Sequence, residues 1–182
     1  MASNVYLKLI KDTDFTEMPE VQHLYETAFP IEERRQFSKL LQLISHPSMY
    51  LNVVMAQGKV VGLCIYWQLD QLLYLEHLAI SPEQQGKGYG SEVVQWLLEQ
   101  VNNLVILEVE QPTDFQTLQR IRFYQKLGFS LQQGYPYQQP SYEPHLPPVP
   151  MCLMSKPAIE SIAELDAIAQ LLKQEVYEQF YS

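Results

Sequence analysis

Cysteine is scarce in this chain. Its two cysteines, Cys64 and Cys152, are too few for a disulfide framework or a zinc site. Both sit in apolar, strand-like runs and read as small buried hydrophobes. Positive charge is short as well: 12 Lys and Arg stand against 21 Asp and Glu, for a net charge of −9. Broad binding to nucleic acid or to an anionic membrane needs positive potential, so neither is expected as a partner. The same balance leaves room for a cationic partner such as an amine. No apolar run approaches the roughly 20 residues of a membrane span. The opening residues show no leader pattern, so the expectation is a cytoplasmic protein in a reducing compartment.

What is present is an ordinary globule. A chain of 182 residues with 47% hydrophobic and 18% charged residues fits one domain with a real core. Val5–Ile10 alternates like a strand. Residues 17–28 and 33–44 read as two helices, joined around Phe29-Pro30, where the proline stops the first. Residues 49–55 and 59–69 read as a hairpin about Gln57-Gly58. A second turn at Asp70-Gln71 leads into a strand over 72–80. A polar, Gly-rich loop follows.

Residues 88–101 form a helix by their buried stripe of Val93, Val94, Leu97, Leu98 and Val101. Leu104–Val109 is too apolar to face water and reads as a buried strand. Residues 115–127 read as a helix ended by Gly128, and 129–137 as a strand. Residues 136–150 hold six prolines, which exclude a helix or an inner strand. Residues 151–154 suffice for a last short strand. An amphipathic helix over 157–181 closes the chain, with Leu165, Ile168, Leu172 and Val176 on one side. The order is β-α-α-β-β-β-α-β-α-β-β and then a helix. The fold class expected is α/β with a mixed sheet covered by helices on both faces.

The central signal is the stretch LEHLAISPEQQGKGYGSEVVQWLL. A buried strand enters a loop with Gly86, Gly88 and Gly90, and the loop opens a helix. Backbone N–H groups at a helix start, with the helix dipole, bind phosphate. Glycines let that backbone approach an anion and form a nest of N–H groups. Lys87 adds a positive charge. Three anion-binding readings compete. A Walker A loop needs Gly-Lys-Ser/Thr, and here Gly88 follows Lys87. A dinucleotide fingerprint needs G-x-G-x-x-G, and Ser91 takes the last place. Glu108 lies suitably downstream for it, but the loop follows an antiparallel meander rather than opening a βαβ series.

The third reading rests on two motifs. Gln85-Gly86-Lys87-Gly88-Tyr89-Gly90 resembles the Arg/Gln-x-x-Gly-x-Gly/Ala loop of the GNAT superfamily of acetyltransferases. Phe123-Tyr124-Gln125-Lys126-Leu127-Gly128-Phe129 is similar to that family's Tyr-x-x-x-Gly-Phe signature. The order of elements fits over roughly residues 5–155. The resemblance implies residues 1–156 as a GNAT-like acetyltransferase domain. Residues 157–182 would be a C-terminal amphipathic helix packed on it or on a partner.

The resemblance also implies a mechanism. Acetyl-CoA would be the co-substrate, with no metal. Its pantetheine arm would pair along Leu78, Ala79 and Ile80. Its pyrophosphate would lie on the N–H groups of Gln85, Gly86, Lys87, Gly88, Tyr89 and Gly90, with Ser91 beside them. The Leu78 N–H would meet the developing oxyanion. Tyr124 would stand near the sulfur as it leaves. A primary amine must lose a proton before it attacks, so a base is needed. Glu76 and Glu108 are the two candidates of equal standing. Some relatives carry an acid two residues before Glu76, where this chain has Tyr74. The family's frequent Asn early in the helix before the second motif is missing.

In this fold the acceptor would enter between the turn holding Phe29 and Glu33 and the loop from Tyr135 to Pro150, which also holds Tyr137. Aromatics with carboxylates suit an amine-bearing guest, a small molecule or a peptide. A homodimer is compatible with this reading. The alternative function is a non-catalytic acyl-CoA sensor, which would keep the loop and need no base.

Overall fold

The computed structural model describes residues 5–70, 72–101 and 103–181. Its elements run β1 (Val5–Leu9), α1 (Met18–Ala28), α2 (Phe37–Gln42), β2 (Met49–Ala56), β3 (Lys59–Leu69) and β4 (Leu72–Ile80). They continue with α3 (Tyr89–Gln100), β5 (Leu104–Glu110), α4 (Phe115–Lys126), β6 (Ser130–Leu131), β7 (Gln138–Gln139), β8 (Val149–Lys156) and α5 (Ile162–Leu172). The strands form one mixed sheet in the order β1-β2-β3-β4-β5-β8-β6, with β7 paired to β8. The chain divides into two compact units. One holds Met1–Gln68 and Leu75–Asn102, the other Leu69–Tyr74 and Asn103–Ser182.

The first unit is built on an antiparallel meander. β1 pairs with β2, and β2 pairs with β3 through the Gln57-Gly58 turn. Both turn residues have positive φ, 51° and 74°, as a tight two-residue hairpin requires. The expected Asp70-Gln71 turn lies partly outside the described residues; Asp70 has a φ of 40°. Leu51, Val53, Leu63, Ile65 and Trp67 are sealed from solvent. Against the expected second helix over 33–44, a 3-10 turn spans Ile31–Glu33 and α2 covers only Phe37–Gln42. Arg34 is extended between them, with φ −147° and ψ 158°.

In the second unit β5 pairs antiparallel with β8, and β8 also carries β6 and β7. α4 opens on a capping box. Asp114 accepts from Thr117 N at 2.9 Å while its own N–H reaches Thr117 Oγ1. Those bonds hold the Asp114 carboxyl below its usual range. α4 ends at Gly128, whose φ of +91° breaks the helix and whose N–H bonds Gln125 O.

Two expectations fail here for physical reasons. The strand expected over 129–137 shrinks to Ser130–Leu131, because Gly134 turns at φ +76° and Pro136 follows. The last helix is not α throughout. α5 is followed by a π-turn over Lys173–Tyr177 and a 3-10 turn over Glu178–Phe180.

Candidate functional site

The glycine loop keeps its shape through its own side chains. The Gln85 side chain donates to Ile80 O at 3.0 Å, and Lys87 Nζ donates to Gln84 Oε1 at 2.7 Å. Gly86 and Gly88 have φ of +78° and +88°, a region that costs a residue with a Cβ. Gly88 is the N-cap of α3, and no side chain caps the helix there. The first intrahelical bond runs from Glu92 N to Gly88 O at 3.1 Å. The helix geometry therefore offers the N–H groups of Tyr89, Gly90 and Ser91 to an outside acceptor. Residues 85–88 are exposed, and Tyr89, Gly90 and Ser91 are half-buried. Such a cradle fits the pyrophosphate of a coenzyme. Upstream, β4 presents Leu78 and Ile80 half-buried and Ala79 buried.

Glu76 lies on β4 in the same unit, and its carboxylate is already engaged. Oε1 pairs with Arg35 Nη1, and Oε2 accepts from Trp67 Nε1 at 2.6 Å. The Glu76 side chain is 1% exposed and that of Arg35 4%. Arg35 also lies over the Trp67 ring, 5.6 Å from its centroid. The next residue, His77, is buried. Its Nε2 sits 3.0 Å from Glu33 O, so the ring carries its proton there. The half-buried Phe29 ring meets His77 edge-on at 4.3 Å. Burial, then the positive charges of Arg35 and Arg34, holds the His77 pKa down against the pull of Glu76 and Glu33 O.

Glu108, on β5 in the other unit, has a different setting. It is half-buried and meets three tyrosine hydroxyls. Tyr137 donates to Oε1. Tyr74, at the start of β4, and Tyr177, in the C-terminal π-turn, each donate to Oε2 at 2.8 Å. Tyr74 and Tyr177 are themselves 2.9 Å apart. Burial, then the Glu108 charge, pushes the Tyr137 and Tyr177 phenols well above their usual range, so they act as donors. Tyr142 packs on the Tyr177 ring at 4.9 Å. Tyr135 instead points to Asp166, donating at 2.8 Å, and burial with that carboxylate pushes it up to about 12.

Tyr124 is buried on α4, tilted 70° against Phe129 with ring centroids 5.7 Å apart. Its carbonyl accepts from Phe129 N and Leu127 N, which locks the helix end beneath it. Among the described residues no group of three metal-ligating side chains occurs, and no helix is long and apolar enough to cross a membrane.

Sequence reasoning missed Arg35, Trp67 and Tyr177 as partners of the two carboxylates. Nothing local marks Arg35, which is 41 residues from Glu76. Tyr177 lies one residue off the stripe that an α-helix would bury.

A glycine cradle at a helix start, after an antiparallel meander and before a strand-helix-strand step, is the arrangement that the resemblance to the acetyltransferases implies. The sequence pattern of the acetyltransferase (GNAT) family matches residues 18–129. The chain belongs to that family, which implies acetyl transfer from acetyl-CoA. YjbC of Bacillus subtilis (strain 168), a protein named as an acetyltransferase, is 28% identical over 115 residues. That match covers 62% of this chain and 58% of the relative's own length. Among solved structures, a Bacteroides thetaiotaomicron protein named as an acetyltransferase of the GNAT family is similar at a TM-score of 0.85 and 28% identity. It covers 94% of this chain and 98% of its own. A GNAT acetyltransferase from Elizabethkingia anophelis, solved with acetyl-CoA bound, shares the fold at a TM-score of 0.55 and 15% identity. There 84% of this chain and 97% of the other are covered.

Proposed function

We propose that this protein is an N-acetyltransferase that moves acetyl from acetyl-CoA to a primary amine by direct attack, with Glu108 as the base. The acceptor is a small molecule or a peptide. The carboxylate of Glu108, gripped by three tyrosine hydroxyls on β5, is the observation that carries this reading. An arriving ammonium has no lone pair. Glu108, directly or through a water, takes one proton from it. The freed nitrogen attacks the thioester carbon, the carbon–sulfur bond breaks, and the second proton that the nitrogen sheds balances the one that the thiolate takes up. The Leu78 N–H meets the charge that develops on the carbonyl oxygen. Tyr124 orients the sulfur and gives the departing thiolate a proton or a hydrogen bond.

Glu76 is set aside as the base because it is ion-paired with the Arg35 guanidinium and its side chain is sealed, whereas the hydroxyls on Glu108 carry no charge and Glu108 is half-buried. Moving a proton onto it would remove the negative charge that faces the buried Arg35 guanidinium, which is costly. The coenzyme's pyrophosphate is assigned to the N–H groups of residues 85–90 with Ser91, and its pantetheine arm to Leu78–Ile80. Phe29, Glu33, Tyr135 and Tyr137 are assigned to the acceptor side. Tyr137 does so through Glu108, and Phe29 through the turn it forms with Glu33.

The test is thiol release from acetyl-CoA against a panel of polyamines, amino acids and peptide N-termini. Amine-dependent release supports the reading. Acetyl-CoA binding by calorimetry with no release from any amine would instead make the protein an acyl-CoA sensor.

A further inference from the structure

The C-terminal segment lies outside the residues that match the family, yet it delivers a hydroxyl to the carboxylate. In a continued α-helix, Val176 would sit about one turn beyond Leu172, and Tyr177 would point roughly 100° away. The i→i+5 step of the π-turn over Lys173–Tyr177 rotates Tyr177 back. Both Val176 and Tyr177 end buried, at 0% and 1% exposure. Separate links hold the segment in place. Tyr181 donates to Ser141 O at 2.7 Å, Tyr135 donates to Asp166 on α5, and the Tyr142 ring packs on Tyr177.

Hydrogen atoms can be counted around Oε2 of Glu108. Three oxygens, Oε2 and the hydroxyls of Tyr74 and Tyr177, form a triangle with sides of 2.8, 2.8 and 2.9 Å. The two phenols bring two hydrogens for three contacts. With Glu108 ionised, both hydrogens point at Oε2, because a bond to a charged acceptor is about twice as strong as one between neutral groups. The Tyr74–Tyr177 contact then has no hydrogen. A proton taken up on Oε2 supplies the third and closes the ring.

We infer that Tyr177 is a positioning residue for the base: the C-terminal turn seats its hydroxyl on Glu108 and so sets the pH at which that carboxylate gives up its proton. The inference rests on Glu108 being the base proposed above. Other titratable groups facing this cluster are Tyr74 from β4, Tyr135 and Tyr137 from the loop before β7, and Tyr142 after it. β8 presents Leu153 opposite Glu108. Tyr177 donates to the charged form, so removing its hydroxyl destabilises the carboxylate and raises its affinity for a proton.

The experiment is a carbon-13 NMR titration of the Glu108 carboxyl, assigned by the resonance that Glu108→Gln removes. It needs no substrate, and so stands even if no amine in the panel is acetylated. Tyr177→Phe should move the midpoint up by roughly one to two pH units. Tyr74→Phe, which removes the other hydroxyl on the same oxygen, should move it the same way. Tyr181→Phe removes one link of the segment and no atom that touches Glu108, so it should move the midpoint less than Tyr177→Phe does. A midpoint unmoved by Tyr177→Phe, or moved equally by Tyr181→Phe, overturns the inference. With the most active amine of the panel, the acidic limb of kcat/KM should follow the Tyr177→Phe shift. A moved midpoint with an unmoved limb would remove Glu108 as the base, and with it the catalytic meaning of Tyr177.

Discussion

His77 stands beside the sealed Glu76–Arg35 pair and is itself 4% exposed. Its ring meets Tyr25 and Phe29 edge-on, and its Nε2 lies 3.0 Å from Glu33 O. Burial is the first reason that its folded pKa lies below the ordinary 6.5. Below about pH 6.5 the unfolded chain therefore takes up a proton on this ring that the folded chain refuses. Its contribution to stability is full above that pH and is lost as pH falls. The melting temperature should drop between pH 7 and pH 5 in the native protein, and by less in His77→Gln. Equal drops in thermal melts of the two would remove His77 as a source of acid sensitivity. Other residues at this scale were legible from pattern alone. Gly128 marks a helix stop in the sequence, and it has the positive φ that makes it one. Glu76 and Glu108 were indistinguishable as candidates because what separates them, Arg35 against three tyrosines, lies far away along the chain.

Elements were legible where one period or one terminator governs them. The stripe from Val93 to Leu97 specifies α3, and Gln57-Gly58 specifies the hairpin, so both stand within a residue or two of expectation. Legibility fell where local signals conflict. The run Lys173–Tyr177 consists of ordinary helix residues, and nothing within it marks the π-turn that brings Tyr177 to Glu108. The α1–α2 connection opens out at Arg34 and Arg35: Arg34 donates to Phe29 O within the connection, while Arg35 reaches Glu76 on β4, 41 residues away. The loop before α3 supports a prediction at this scale. Gly88 needs a φ of +88°, although a Cβ there would meet nothing nearer than Glu92 Oε1 at 4.0 Å. Gly88→Val should therefore tilt the N–H cradle without a clash. Calorimetry should show acetyl-CoA affinity falling at least about tenfold, roughly 1.4 kcal/mol. Gly58→Val imposes the same backbone strain at φ +74° in the β2–β3 turn and should leave that affinity unchanged. Matching losses in the two variants would mean general destabilisation, and the cradle would lose its role.

At the scale of the molecule, each compact unit holds one half of the argument. The first carries the glycine loop and the sealed Glu76–Arg35 pair. The second carries Tyr124, Glu108 and the tyrosines around it. A net charge of −9 suits the proposed cationic acceptor. The element order was readable from β1 to β6 because each step keeps a short connection or a distinct breaker, whereas the short β7 lies within the six-proline segment, where the prolines mark only what cannot form. The central claim is that Glu108 takes the amine's proton. The pH dependence of kcat/KM for acetyl-CoA with the best amine tests it most directly, in the native protein and in Glu108→Gln. The account predicts a rate lower by roughly 10²–10⁴ in the variant, with the acidic limb flattened. A Glu108→Gln enzyme that keeps both its rate and its limb would contradict it.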